Sequence, residues 1–184
     1  YKYPSPQFQL YCLYLIKQIG QGLLLFVPTF FIWFFMEKKH QQLFGFRHKG
    51  VDLKPYFLIL ILMIPIIGLA ATQDSFTNFY PLVSHIPNIQ SNTLLGKIQI
   101  IVYEFFYAFD FFSNEFFFRG FLILAFARIV GKAAILPMTC WYVFIHFGKP
   151  VGETISSFFG GLILGLIAYE TRSIYGGAIV HIGI

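Results

Sequence analysis

Six long apolar segments, parted by short polar ones, set the first limit on how this chain folds. They fall at about 10–36, 55–71, 97–128, 133–147, 153–169 and from 173 to 184. A helix needs about 20 mostly apolar residues to cross a hydrocarbon core. The predicted fold is therefore all-α, a polytopic transmembrane bundle of six or more membrane helices with its site inside the bundle. Composition points the same way. The chain is 57% hydrophobic and 21% aromatic, and only 11% of it is charged, against about 25% in a soluble domain. So little charge cannot cover a water-facing surface.

Pro28 predicts a kink or tilt in the first helix, and Pro65 lies inside the second. Segment 97–128 is too long for one straight span and is predicted to bend near Ser113–Asn114 or to project from the membrane. Residues 72–96, polar and broken by Pro81 and Pro87, form the longest predicted loop. The whole of 1–184 reads as a single membrane domain. It starts at Tyr1 and stops at Ile184 within an apolar stretch, so both ends are expected to be cuts through a longer protein.

The net charge of +5 reads as topology and not as a nucleic-acid footprint. Loop 37–54 holds Lys38, Lys39, Arg47, Lys49 and Lys54, whereas 72–96 holds no Lys or Arg. Arg128, Lys132 and Arg172 mark later turns. Basic residues gather on cytoplasmic loops, so 37–54, 128–132 and 170–172 are predicted inside, with 72–96 and 148–152 outside. Lys149 is the one charge against this alternation. Cys12 and Cys140 read as membrane-buried thiols, with no disulfide framework. Ser157, Gly161 and Gly165 recur every four residues, a spacing that lets helix backbones approach closely in lipid.

Ionisable residues inside apolar helices cost a few kcal/mol each on insertion scales and so face a cavity or a partner. Here they are Glu104, Asp110, Glu115, Arg119, His146 and His181. In the stretch NEFFFRG, Glu115 and Arg119 are four apart and share one helix face, while Phe116 and Phe117 point elsewhere. The phenylalanines of the run are expected against lipid and neighbouring helices. Glu104 falls within about 20° of the Glu115 face, and Asp110 and Asn114 make a second polar stripe, both predicted to point into the bundle. Taken singly, each histidine reads as a satisfied core residue and Glu104 as a packing residue near the interface, whereas for Glu115–Arg119 a packing ion pair is the lesser reading. His40, His48 and His85 lie in loops and are expected to be solvated. Together, a carboxylate and two imidazoles on three helices can converge on one water or one metal ion.

Three stretches, NEFFFRGF, YVFIHFGKP and GLILGLIAYETRSIYGGAIVHIGI, resemble the CPBP family of CAAX-prenyl-protease and bacteriocin-processing (Abi-type) intramembrane proteases, over about residues 97–184. Glu115, Arg119 and Gly120 match the second glutamate, the arginine and the glycine of the family's first motif. Tyr142 and His146 match the second, with tyrosine where phenylalanine is commoner, and His181 matches the start of the third. The first glutamate of the family's pair is Asn114 here, and an amide cannot take the proton that glutamate would. Three accounts of Asn114 stand. Glu115 is itself the base, with Asn114 holding substrate or water; or Asp110 reaches the same cavity; or the chain binds what its relatives cut.

The resemblance implies an intramembrane endopeptidase that hydrolyses a peptide bond of a membrane-associated protein or peptide. Glu115 and His146 would activate water, His181 would bind the oxyanion, and Arg119 would hold Glu115 ionised. Asn114, Tyr142 and Asp110 are the secondary residues. Glu115, His146 and His181 could ligate zinc or act on water without metal, and both versions stay open. The alternatives are an inactive relative serving as a binding or immunity protein, and a transporter subunit. The lipid bilayer is the expected surrounding, in a bacterial inner (plasma) membrane, with no nucleic-acid partner.

Overall fold

The computed structural model describes residues 5–39, 43–46, 51–86, 89 and 91–184. His40, Arg47, His48 and Lys49 lie outside the described residues. Among the described residues the elements are all helical, and the only β feature is an isolated bridge from Phe46 to Ser173.

Helix α1 spans Pro6–Ile32. It opens at Ser5, whose hydroxyl accepts from the Phe8 amide at 3.3 Å. Pro6 stands in its first turn, where a missing N–H costs nothing. The helix continues through Pro28 and passes into a π-helical turn at Trp33–Glu37. Helix α2 covers Lys54–Ala70 and short α3 covers Asp74–Thr77. Helix α4, Leu94–Glu115, is capped by Thr93, whose hydroxyl accepts from the Gly96 amide at 3.1 Å. At Phe116 it becomes a π-helix that runs to Ala125. Two side chains just before this change bond back to the preceding turn. Ser113 Oγ donates to the Phe109 carbonyl at 2.8 Å, and Asn114 Nδ2 donates to the Asp110 carbonyl at 2.9 Å. Such back-bonding competes with the helical ladder and bends it. The predicted irregularity near Ser113–Asn114 is therefore a change of helix type that begins two residues after Asn114.

The chain then folds back on itself. Short α5, Ala127–Val130, ends at Gly131, whose φ of +59° lies in the region that favours glycine. Helix α6, Ile135–Phe144, returns along the π segment, so that Ile123 and Leu124 pack with Ile135 and Met138 and the Phe118 ring meets Tyr142 at 5.3 Å. Helices α7, Val151–Thr171, and α8, Tyr175–Gly183, complete the described fold. The small-residue stripe on α7 meets α6. A Cβ at Gly161 would stand 2.9 Å from Tyr142 Cδ1, and one at Gly165 2.9 Å from Met138 Cε.

All six apolar segments become helix. Among the described residues three stretches are long and apolar enough to cross a membrane: Phe8–Glu37, Leu94–Phe144 and Val151–Thr171. The second, at 51 residues, contains the reversal at Gly131. Helix α2 has 17 residues, α6 has 10 and α8 has 9, all below the roughly 20 of a straight span. Helix α6 stops early because the turn at 145–148 carries Gly148 at φ +93° and Pro150 starts the next helix.

The outer surface is greasy. Leu24 on α1, Leu69 on α2, Phe105 on α4 and Phe159 on α7 are exposed, as lipid-facing side chains are. Cys12 is half-buried and Cys140 exposed, and both are free thiols. This is an integral membrane protein.

Ion pairs sort the loops by end. Arg128 Nη1 meets Glu37 Oε2 at 2.6 Å, and Lys132 Nζ meets Glu170 Oε1 at 2.6 Å. The turns predicted to share one side thus lie at one end of the bundle. Elsewhere, Tyr80 Oη donates to the two Glu153 carboxylate oxygens at 2.9 and 2.8 Å, and Lys149 Nζ meets the same carboxylate at 2.7 Å. That joins segment 72–86 to the start of α7. Lys149, the charge against the alternation, has its counter-ion in Glu153. Burial and the nearby Glu153 carboxylate push the Tyr80 phenol well above its usual range.

Candidate active site

Glu115 is the last residue of α4 and Arg119 stands one turn into the π segment, both with no solvent exposure. Arg119 Nη1 lies 2.9 Å from Glu115 Oε1. The neighbouring phenylalanines explain the burial. Phe116 packs on Phe26 at 5.0 Å and on Phe46 at 5.5 Å, and Phe118 packs on Tyr142. Phe116 and Phe118 are therefore buried between helices and do not face lipid, as had been expected in part.

Helix α8 closes on the pair. Its start has two adjacent glycines, and both are needed for the approach. A Cβ on Gly176 would overlap the Tyr56 ring, and one on Gly177 would overlap the Glu115 carboxylate. One turn on from Gly177, His181 Nδ1 reaches Glu115 Oε1 at 2.7 Å. The other ring nitrogen, Nε2, is hydrogen-bonded to the Tyr142 hydroxyl. Tyr142 also offers its ring face to the Arg119 guanidinium, whose Cζ lies 4.2 Å from the ring centroid, a favourable placement for a cation. The His181 ring stacks on Phe111 at 5.5 Å. The result is a closed circuit of four side chains from four helical segments: Glu115, Arg119, Tyr142 and His181.

His146 flanks this circuit. It lies in the turn after α6, with its ring 4.6 Å from that of Tyr142. Its Nδ1 is within 2.8 Å of the Tyr142 carbonyl, and its own carbonyl accepts from Thr154 Oγ1 at 2.8 Å. Both ends of the residue are thereby fixed.

The circuit is held mainly by charge. Neither Glu115 oxygen, none of the three Arg119 nitrogens and not His181 Nδ1 makes a well-aligned hydrogen bond, although all are buried. Nearly all buried polar groups are satisfied, so this cluster is unusual in its spare bonding capacity.

Other expected residues are placed apart. Asp110 is half-buried and its carboxylate is engaged by Gln18 of α1. Among the described contacts nothing joins that carboxylate to Glu115 or to either histidine. The Asn114 Nδ2 donates to the Asp110 backbone carbonyl. Glu104, placed on the inward stripe by helix geometry, is exposed. His85 is exposed, as a loop residue should be. Tyr80, Glu153 and Gly177 were not singled out in the sequence. The Gly-Gly pair two residues into α8 was the available signal for the last.

The three candidate metal ligands do not fit one ion. Both ring nitrogens of His181 are taken, by Glu115 and Tyr142, and His146 commits Nδ1 to a carbonyl. Among the described residues no group of three His, Cys, Asp or Glu could hold a metal.

A buried carboxylate, a guanidinium and an imidazole are thus gathered inside an apolar helical bundle. The family model described as Type II CAAX prenyl endopeptidase Rce1-like matches residues 96–184, the part that contains all of these side chains. The match supports membership of the CPBP family. No curated protein and no solved structure matches it.

Proposed function

We propose that this protein is an intramembrane endopeptidase of the CAAX-protease-like type, which hydrolyses a peptide bond of a membrane-associated protein or peptide. The observation that carries this reading is the Glu115–Arg119–His181 contact, with the carboxylate wholly buried and the imidazole 15% exposed. Water attack on an amide needs a proton acceptor, donors for the developing oxyanion, and exclusion of bulk water. Glu115 with His181 supplies the first, and the Arg119 guanidinium and Tyr142 hydroxyl beside them are donors for the second. The apolar bundle supplies the third. Arg119 offsets the cost of an ionised carboxylate in this setting.

Asn114 supports a second reading, a relative that binds a membrane peptide without cutting it. Its amide takes no proton and is already bonded to the Asp110 backbone. Purified protein in lipid vesicles, offered a panel of membrane-anchored peptides with and without a prenyl group, separates the two. Cleavage by the parent supports the endopeptidase. Saturable binding with no cleavage by the parent or by Asn114→Glu supports the binding protein.

A further inference from the structure

Helix α7 is closed by Arg172, whose φ of +56° is left-handed and whose amide donates to the Ala168 carbonyl at 2.9 Å. Among the described residues it is the one residue other than glycine at positive φ. Glycine is usual at such a position, because a Cβ strains this backbone. A cation near a helix C-terminus is favoured by the helix dipole, but a basic residue in the last turn would meet that need without strain, and α7 has none there. Strain of this kind points to a use for the side chain. The Arg172 side chain is exposed, and its Cζ lies 4.8 Å from the centroid of the Tyr169 ring. Lys132 Nζ faces the same ring at 5.6 Å. Lys132 has its counter-ion in Glu170, whereas among the described residues no carboxylate pairs with Arg172. The apolar stretch Val151–Thr171 ends one residue before it. The guanidinium therefore stands where the hydrocarbon core gives way to lipid headgroups, the level at which tyrosine is also at home.

We propose that Arg172, steadied on the Tyr169 ring, binds the phosphate of an anionic phospholipid headgroup. A guanidinium presents paired N–H donors that match two phosphate oxygens. The ring holds its flat face and leaves the N–H edges for the ligand. Lys132 and Arg172 against the single carboxylate of Glu170 leave one net positive charge, which matches the one negative charge of phosphatidylglycerol. The turn belongs to the side that its basic residues predict to be cytoplasmic, where anionic lipids gather. The site lies outside the Glu115 circuit and does not depend on the endopeptidase reading. It bears on that circuit through the chain. Ser173 Oγ accepts from the Tyr175 amide at 3.3 Å, and the Ile174 amide donates to the Gly45 carbonyl at 3.0 Å. Together they fix the start of α8, the helix that carries Gly177 and His181 to Glu115. A phosphate held at Arg172 steadies the turn from which α8 departs.

The test is thermal unfolding in nanodiscs of phosphatidylcholine alone and of equal parts phosphatidylcholine and phosphatidylglycerol. Arg172→Gly removes the guanidinium and suits the backbone, so the fold is kept. Arg128→Gln, at the same end of the bundle, removes a cation already paired with Glu37. Each form is compared with its own midpoint in phosphatidylcholine, so a change in intrinsic stability does not enter. Phosphatidylglycerol is expected to raise the parent's midpoint by about 3 °C, the scale of one charge-assisted contact in a chain of this size. Arg128→Gln should gain as much, and Arg172→Gly should gain little. Inorganic phosphate added to phosphatidylcholine nanodiscs should leave the parent where it is. A parent that gains nothing from phosphatidylglycerol overturns the proposal, as does an Arg172→Gly form that gains as much as the parent. An equal loss of the gain in Arg128→Gln overturns it in favour of diffuse surface charge. A rise with inorganic phosphate as large as that with phosphatidylglycerol overturns it in favour of a soluble anion.

Discussion

Arg119 is the residue on which the site's stability rests. Its guanidinium has no solvent exposure and faces one carboxylate and one aromatic ring. Removing one partner of a buried pair leaves the other uncompensated, at a cost of about 3–5 kcal/mol. Arg119→Ala should therefore lower the unfolding midpoint in denaturant and abolish cleavage. Glu115→Ala should unfold at lower denaturant too, because the cation is stranded instead. At Gly177 the argument is steric. The smallest side chain would overlap the Glu115 carboxylate, so Gly177→Ala should separate α8 from α4 and lose cleavage, while Gly152→Ala, where a Cβ meets nothing within 4 Å, should cleave like the parent. The donor arrangement adds a third expectation. With both nitrogens of His181 already occupied, 1,10-phenanthroline should leave the rate of cleavage unchanged, measured after prolonged incubation with the chelator. Four-residue spacing was enough to pair Glu115 with Arg119 in the sequence, because both lie on one helix. It could not choose which histidine Glu115 touches, since that depends on how α8 packs on α4, and the sequence reading assigned the partner role to His146.

At the scale of elements, the apolar segments located the helices well and their lengths poorly. Hydropathy reports where lipid can lie, but the ends are set by local chemistry: the turn at 145–148 ends α6 and Gly131 ends α5. The π segment was invisible to periodicity, which assumes one repeat. Its longer hydrogen-bond spacing changes which side chains share a face, and π segments recur at functional sites. The failure of the helical-wheel argument at Glu104 has a simpler cause. A wheel gives direction around the axis and not how far along it the neighbours reach, and among the described residues Glu104 is exposed. The α6–α7 contact was foreshadowed by Ser157, Gly161 and Gly165, and its consequence for the site was not. Gly161→Val would push on the Tyr142 ring, 2.9 Å from the new Cβ. Overpacking of this kind costs about 1–3 kcal/mol, so the variant should unfold earlier in denaturant and also cleave more slowly, because Tyr142 is displaced.

For the whole molecule, the positions of the basic residues gave an alternation that the ion pairs make geometrically consistent. Glu37, Arg128, Lys132 and Glu170 gather at one end, and Tyr80, Lys149 and Glu153 join two loops predicted to share the opposite side. Cysteine labelling of intact cells, in a background with Cys12 and Cys140 replaced by serine, should modify Ser84→Cys and spare Lys132→Cys. The reverse pattern would invert the orientation.

The central claim is that the buried circuit at Glu115 performs hydrolysis. Glu115→Gln tests it most directly, since it keeps the shape of the side chain and removes its charge. The measurement is cleavage of a membrane-anchored peptide by purified parent and variant in lipid vesicles, with insertion of both checked. The account predicts that the parent cleaves, and that the glutamine form inserts but does not cleave. A glutamine form that cleaves as fast as the parent would contradict it.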